Sequence, residues 1–189
     1  MTALAAPGLL LFLAACGGGG DDDAAAPAAA PAPPAAPAAS AVASTCSLPD
    51  FAASALARIN QHRGTGATCG ARGSFAAVPA LAWSAKLTQA ADAHSQDMAA
   101  QNYFSHTSAD GRTVGNRIDA TGYLWNTYGE NIAAGYHTVN AVIDGWMASD
   151  GHCANVMGAN FTEVGLACVP GTPSSTYNTY WTMDLARPR

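Results

Sequence analysis

Charged side chains are scarce in this chain. Of 189 residues, 13 are Asp or Glu and 8 are Lys or Arg, and Glu130 and Glu163 are the only glutamates. There is no basic run, which argues against nucleic acid or anionic lipid as the principal partner. Internal repeats, a glycine-rich phosphate loop, a His-Glu-x-x-His motif and a Ser-His-Asp motif are all missing. The apolar stretch from Leu9 to Ala15 is too short to cross a bilayer as a helix, which takes about 20 residues. No Lys or Arg precedes it, although export signals usually carry one.

What is present begins with that stretch. A short apolar run ending in small residues is the pattern of an export signal, and Leu13-Ala14-Ala15-Cys16 resembles a lipobox, in which Cys16 is acylated. We expect residues 1–16 to form an export signal and the protein to sit in the cell envelope, lipid-anchored at Cys16, with plain secretion as the alternative. Residues 17–45 run through Gly and Asp into Ala and Pro with no large apolar side chain. Such a segment cannot bury enough surface to offset its ordering entropy, so it reads as a tether.

Residues 46–189 are then one domain, of ordinary size. Three of the 13 acids, Asp21 to Asp23, fall in the tether, so this domain carries 10 acids against 8 bases, a net charge near −2. Cys46, Cys69, Cys153 and Cys168 make an even set, and in an exported protein that suggests two disulfides. Of three connectivities we expect Cys46–Cys69 and Cys153–Cys168, each close in sequence. The second would close 14 intervening residues, contributing about 3 kcal/mol in the chain-entropy model.

Helical periodicity marks "FAASALARINQHR" after Pro49-Asp50, and "AKLTQAADAHSQDMAAQN" after a possible cap at Ser84. In the latter Leu87, Ala91, His94 and Met98 form the apolar stripe. Thr113 can cap a short helix through Ile118, and Thr138 or Asn140 a helix burying Val139, Val142, Ile143 and Trp146 that stops at Asp150-Gly151. "FTEVGLACV" and "STYNTYWTMDLA" alternate with period two around the turn "GTPSS", a hairpin pattern. A third strand runs through "GYLWNTYGENIA". Helices first and antiparallel strands later give an α+β layered domain.

Of five histidines, His62 and His137 read as surface residues and His94 as a hydrogen-bonded core residue. His106 follows Tyr103-Phe104, and His152 follows Asp150-Gly151 beside Cys153. Glu130, in "YGENIAAG", sits among glycines and apolar residues, where a carboxylate must be paired, hydrogen-bonded or neutralised. Two histidines and a glutamate suit either a divalent metal with an open position or an acid/base cluster.

"WSAKLTQAADAHSQDMAAQNYFSHTSADG", "GENIAAG", "AVIDGWMASDGHCANVMGANFTEVGLACV" and "YWTMDLA", in this order, resemble the bacterial branch of the CAP superfamily, from about Phe51 to Ala186. The resemblance implies an α-β-α sandwich, with a central antiparallel sheet between helices and a cleft lined by two histidines and two acids. Several members bind a divalent metal there, Zn2+ being the expected ion. His106, Glu130 and His152 match three of these positions. The family's second glutamate, three residues past the tryptophan, corresponds to Ser149, with Glu163 or Asp184 as possible replacements. Cys153 stands where bacterial relatives commonly carry Arg; a Cys153–Cys168 bridge would staple the loop holding His152.

Three functions compete. The first is a binding module for a small apolar or amphiphilic ligand, or for an envelope or host protein. The second is a metal-assisted hydrolase with Glu130 as general base and His106 and His152 beside it. The third is a structural or adhesion domain in which the three polar residues only satisfy one another. The lack of a catalytic motif places binding above catalysis.

Overall fold

The computed structural model describes residues 44–189; the expected export signal, Cys16 and the tether up to residue 43 lie outside the described residues. Among the described residues five α-helices and six strands follow one another. They are α1 (Phe51–Thr65), β1 (Ala67–Thr68), β2 (Ser74–Phe75), β3 (Ala82–Trp83), α2 (Ala85–Gln101), α3 (Val114–Ala120), β4 (Trp125–Ala134), α4 (Val139–Met147), α5 (Asp150–Val156), β5 (Glu163–Pro170) and β6 (Thr179–Pro188). The main sheet has the order β3-β5-β6-β4. Its three long strands are antiparallel, and two-residue β3 adds to β5 in parallel.

Helices cover both faces, giving the α-β-α sandwich. On one face Phe51, Ala55 and Ile59 of α1 and Val142, Ile143 and Trp146 of α4 meet Val164, Leu166, Trp181, Met183 and Leu185. On the other, α2 and α3 bring Leu87, Ala90 and Ile118 against Ala186, and Met98 against Ile132 and Tyr180. α2 lies directly on β5: a Cβ on Gly165 would stand 2.1 Å from the Thr88 backbone nitrogen. Sheathing on both sides buries every β6 residue from Thr179 to Ala186. The alternation seen in sequence marks only the Trp181-Met183-Leu185 face, while Tyr180, Thr182, Asp184 and Ala186 fill the opposite one.

Local chemistry sets the helix ends. Thr113 and Asn116 form a reciprocal capping box on α3, and the Thr138 hydroxyl accepts from Ala141 N on α4. Ser84 occupies the cap position of α2, but its side chain makes no capping bond. Its carbonyl instead accepts from the Thr88 hydroxyl at 2.9 Å. The chain after α4 does not end in a loop. It turns at extended Ser149 and restarts as α5, so His152 and Cys153 are helical residues.

Both expected disulfides are corrected: the bridges are Cys46–Cys168 and Cys69–Cys153. Between Cys46 and Cys69 stands α1, whose 15 residues span about 22 Å, so nearness in sequence is distance in space. Cys46 N donates to Cys168 O at 3.1 Å and Cys168 N to Ser44 O at 2.9 Å, laying the entering chain along β5. Cys69 sits beside a 3₁₀ turn (Gly70–Arg72) whose Ala71 N donates to the Asp150 carboxylate at 2.8 Å. That bond and the Cys69–Cys153 bridge together hold α5. His152 is therefore stapled, but to the 69–72 turn and not to β5.

Candidate functional site

β4 is an edge strand, and its residues alternate between the two helical layers. Glu130 points toward α3 and is 1 % exposed at its side chain. Such a carboxylate needs donors, and it has two. Arg117 Nη2 of α3 donates to Oε2 at 2.6 Å, and His106 Nδ1 donates to Oε1 at 2.7 Å. Burial pushes the Glu130 pKa up, but the His106 hydrogen bond and the Arg117 charge outweigh it and hold the group below its ordinary value. Because a carboxylate can only accept, the proton of the neutral His106 ring sits on Nδ1. Nε2 is left free on a side chain that is 53 % exposed.

The loop carrying His106 is pinned from beneath. Arg117 Nη1 donates to the carbonyls of His106 (3.1 Å) and Arg112 (3.2 Å) and to the Ser108 hydroxyl (3.1 Å). His94 Nε2–H donates to Ser105 O at 2.8 Å, and burial lowers the pKa of that ring. The core histidine thus has a task, holding the residue before His106.

His152 arrives from the opposite layer. Asn131, next to Glu130 but facing α5, donates from Nδ2 to His152 O at 3.1 Å. Asn155 Nδ2 donates to Glu130 O at 3.2 Å and to Asn131 Oδ1 at 2.9 Å. The Gly-Glu-Asn motif therefore serves both sides of the strand: its glutamate orients one histidine, and its asparagine seats the helix that carries the other. Burial, and then the nearby His106, lower the pKa of the His152 ring.

The two possible extra acids fall in different places. Asp184 is Glu130's cross-strand partner on β6 and is completely buried. Burial, followed by the Glu130 charge, raises its pKa well above the carboxylate range. Glu163 does not join the cluster. It lies on β5, two strands from β4, about 10 Å across the sheet, in a separate pocket with Lys86, Tyr123, Leu124 and Arg189. Ser149 keeps the position before α5 and makes no side-chain capping bond.

These positions do not fit a resident divalent metal. Among the described residues no group of three His, Cys, Asp or Glu is placed to hold an ion. Glu130 has both oxygens engaged, which leaves the His106 and His152 rings, and a catalytic zinc site takes three protein ligands. Sequence reasoning missed Arg117. Its one signal was indirect, in that a buried Glu130 demands a partner, and a single sequence does not say which of seven arginines supplies it. Asn155 left no signal, since amides occur throughout the surface.

A family model described as the cysteine-rich secretory protein family, CAP, matches residues 56–185. YkwD, an uncharacterised protein of Bacillus subtilis strain 168, is 40% identical over 83 residues, 44% of this chain and 32% of that one. The crystal structure of an extracellular SCP-domain protein from Bacillus anthracis is 34% identical, with a TM-score of 0.51 over 58% of this chain and 34% of that one. An outer surface protein from Borrelia burgdorferi is 18% identical, with a TM-score of 0.53 over 59% and 80% of the two chains, a likeness of fold alone. The chain spans about a third of the length of these Bacillus relatives. No helix among the described residues is long and apolar enough to cross a membrane. Matched across most of its folded residues, the chain belongs to the cysteine-rich secretory protein (CAP) family.

Proposed function

We propose that this is an exported binding module, anchored to the envelope through Cys16, whose ligand meets the rim formed by His106 and His152. The ligand is a small amphiphile or a segment of an envelope protein that offers a hydrogen-bonding group to the two rings. One observation carries the reading: both oxygens of Glu130 are engaged, by Arg117 and by His106 Nδ1. A carboxylate held this way orients a histidine. The Glu130 side chain is 1 % exposed, so neither oxygen reaches a substrate, and the hydrolase reading with Glu130 as general base loses the atom it requires. The His106 ring, by contrast, offers Nε2 outward from a supported position, as a recognition group needs.

The test is an NMR titration that follows the His106 and His152 ring signals in the full chain. A medium-chain fatty acid, a lysophospholipid and a short peptide are added in turn. We expect a saturable shift at both rings with one of these probes, lost in the His106→Ala, His152→Ala double variant. Rings that stay unmoved by all three, or a saturable shift elsewhere that survives in the variant, would remove the rim from the account.

A further inference from the structure

Asp184 is the least comfortable polar residue in the fold. It is 0 % exposed, and neither carboxyl oxygen has a hydrogen-bond partner. An ionised carboxylate left so is far too costly in a protein interior, and it takes a proton instead. A neutral carboxyl then needs an acceptor for its O–H. The strand register supplies one.

Gly135 N donates to Thr179 O, and the same register pairs Glu130 with Asp184. Counting back from Gly135 in steps of two places the hydrogen-bonded pairs at Ala133, Asn131 and Gly129. Glu130–Asp184 is therefore a non-hydrogen-bonded pair, the kind whose side chains stand closest, with Cα atoms about 4.5 Å apart. In agreement, Glu130 O points away from β6 and accepts from Asn155. Both side chains face the α2–α3 layer.

We propose that Asp184 is a positioning residue, a neutral acid whose proton is shared with Glu130 across the β4–β6 pair. The inference rests on the reading of Glu130 as the group that orients His106, and deepens it. Glu130 then has a third donor beside Arg117 and His106, and its carboxylate plane is fixed from three sides. The pair holds one negative charge, balanced by Arg117, so the interior beneath the rim is neutral.

The surrounding groups agree. From α3 comes Arg117, whose Nε has no partner, and from α2 comes His94, kept neutral by burial. The other titratable groups of α2 are engaged elsewhere: Lys86 on Gly122 O, Asp92 on Ser44 N and Gln96, and Asp97 on Tyr103. From β5 the facing residue is Gly165, which brings no charge. Among the described residues no donor makes a direct hydrogen bond to either Asp184 oxygen. The rival is an ionised Asp184 bridged by water to the free Arg117 Nε–H.

The experiment is a carboxyl-carbon NMR titration of the full chain, labelled at Asp Cγ and Glu Cδ, from about pH 3 to about pH 9. With only two glutamates in the sequence, Glu130 is assigned by a Glu163→Gln control, and Asp184 by Asp184→Asn. We expect the Asp184 carbon to stay at its protonated position above the ordinary aspartate range, about pH 4, and Glu130 to stay ionised below the ordinary glutamate range. An Asp184 carbon that ionises in the ordinary aspartate range would overturn the proposal. The wild-type titration stands even if Asp184→Asn folds poorly, because Asp184 is then the aspartate resonance coupled to Glu130. Ligand binding is not read here, so failure of this test and failure of the binding reading are separate results.

Discussion

Replacing Arg117 with Met keeps most of the side-chain volume and removes the charge. Glu130, 1 % exposed, would then have no guanidinium to balance its charge and only the His106 and Asp184 protons to hydrogen-bond it. At an effective dielectric of 20, two charges with centres about 4 Å apart attract by about 4 kcal/mol, and breaking a buried pair from one side costs about 3–5 kcal/mol. Arg117 also donates to two carbonyls and a hydroxyl of the 106–112 segment, so the loop loses its anchor as well. We predict that Arg117→Met lowers the unfolding free energy by about 3–5 kcal/mol at pH 7, measured by urea unfolding. Glu130→Gln should cost less, because Arg117 keeps its three oxygen acceptors. The double variant should fall short of the sum of the singles by about 2 kcal/mol, the signature of a pair removed together. A loss below about 1 kcal/mol, or strictly additive losses, would mean that the pair does not hold the site.

Three further outcomes follow from the same geometry. Gly165→Ala forces a methyl group against the α2 backbone, 2.1 Å from Thr88 N, and should cost at least the about 1–3 kcal/mol of an overpacked core; a neutral effect in thermal unfolding would contradict the seating of α2. Removing the inner bridge with Cys69→Ser, Cys153→Ser should cost about 4 kcal/mol in the chain-entropy model. That estimate takes the 38-residue route through the outer bridge, 23 from Cys46 to Cys69 and 15 from Cys153 to Cys168, in place of the direct separation of 84. Peptide mapping of the wild type should recover Cys69 joined to Cys153, and a Cys46–Cys69 peptide would refute the topology. The folded-state pKa values of His94 and His152 are lowered, so between those values and about 6.5 the unfolded chain binds more protons and stability falls as pH drops. The urea midpoint should decline from about pH 6.5 downward, and His94→Gln should flatten part of that decline; a midpoint constant to pH 5 would show that the rings are not buried neutral.

The layers were legible because helices and strands here carry their own periods. Leu87, Ala91, His94 and Met98 read as a stripe, and all four are fully or almost fully buried. Thr113 reads as a cap and acts as one, and of the two candidates Thr138 and Asn140 it is Thr138 that caps α4. Three things were hidden. Disulfide pairing depends on where strands and helices cross, so Cys153 found Cys69 across a helix-to-turn contact that no spacing encodes. The period-two pattern of β6 marks one apolar face and does not show that the other, with Tyr180, Thr182 and Asp184, is buried as well. The break between α4 and α5 was read as a stop, because Asp150-Gly151 is as good a helix opening as it is a turn.

At the site, His106 and Glu130 were recognisable from motif and context, and they are hydrogen-bonded. Arg117 was not, because its role follows from α3 being laid across β4, a tertiary fact. Asp184 stood in view as one acid in a strand pattern, and only the register with β4 sets it opposite Glu130.

The central claim is that Glu130 fixes the His106 ring with its proton on Nδ1 and its Nε2 open at the rim. Long-range proton–nitrogen correlation on nitrogen-labelled protein at about pH 8, where an ordinary imidazole is neutral, reads the tautomer directly. The account predicts a single His106 tautomer protonated at Nδ1, which becomes mixed in Glu130→Ala. A wild-type His106 ring protonated at Nε2, or one that ignores the loss of Glu130, would contradict it.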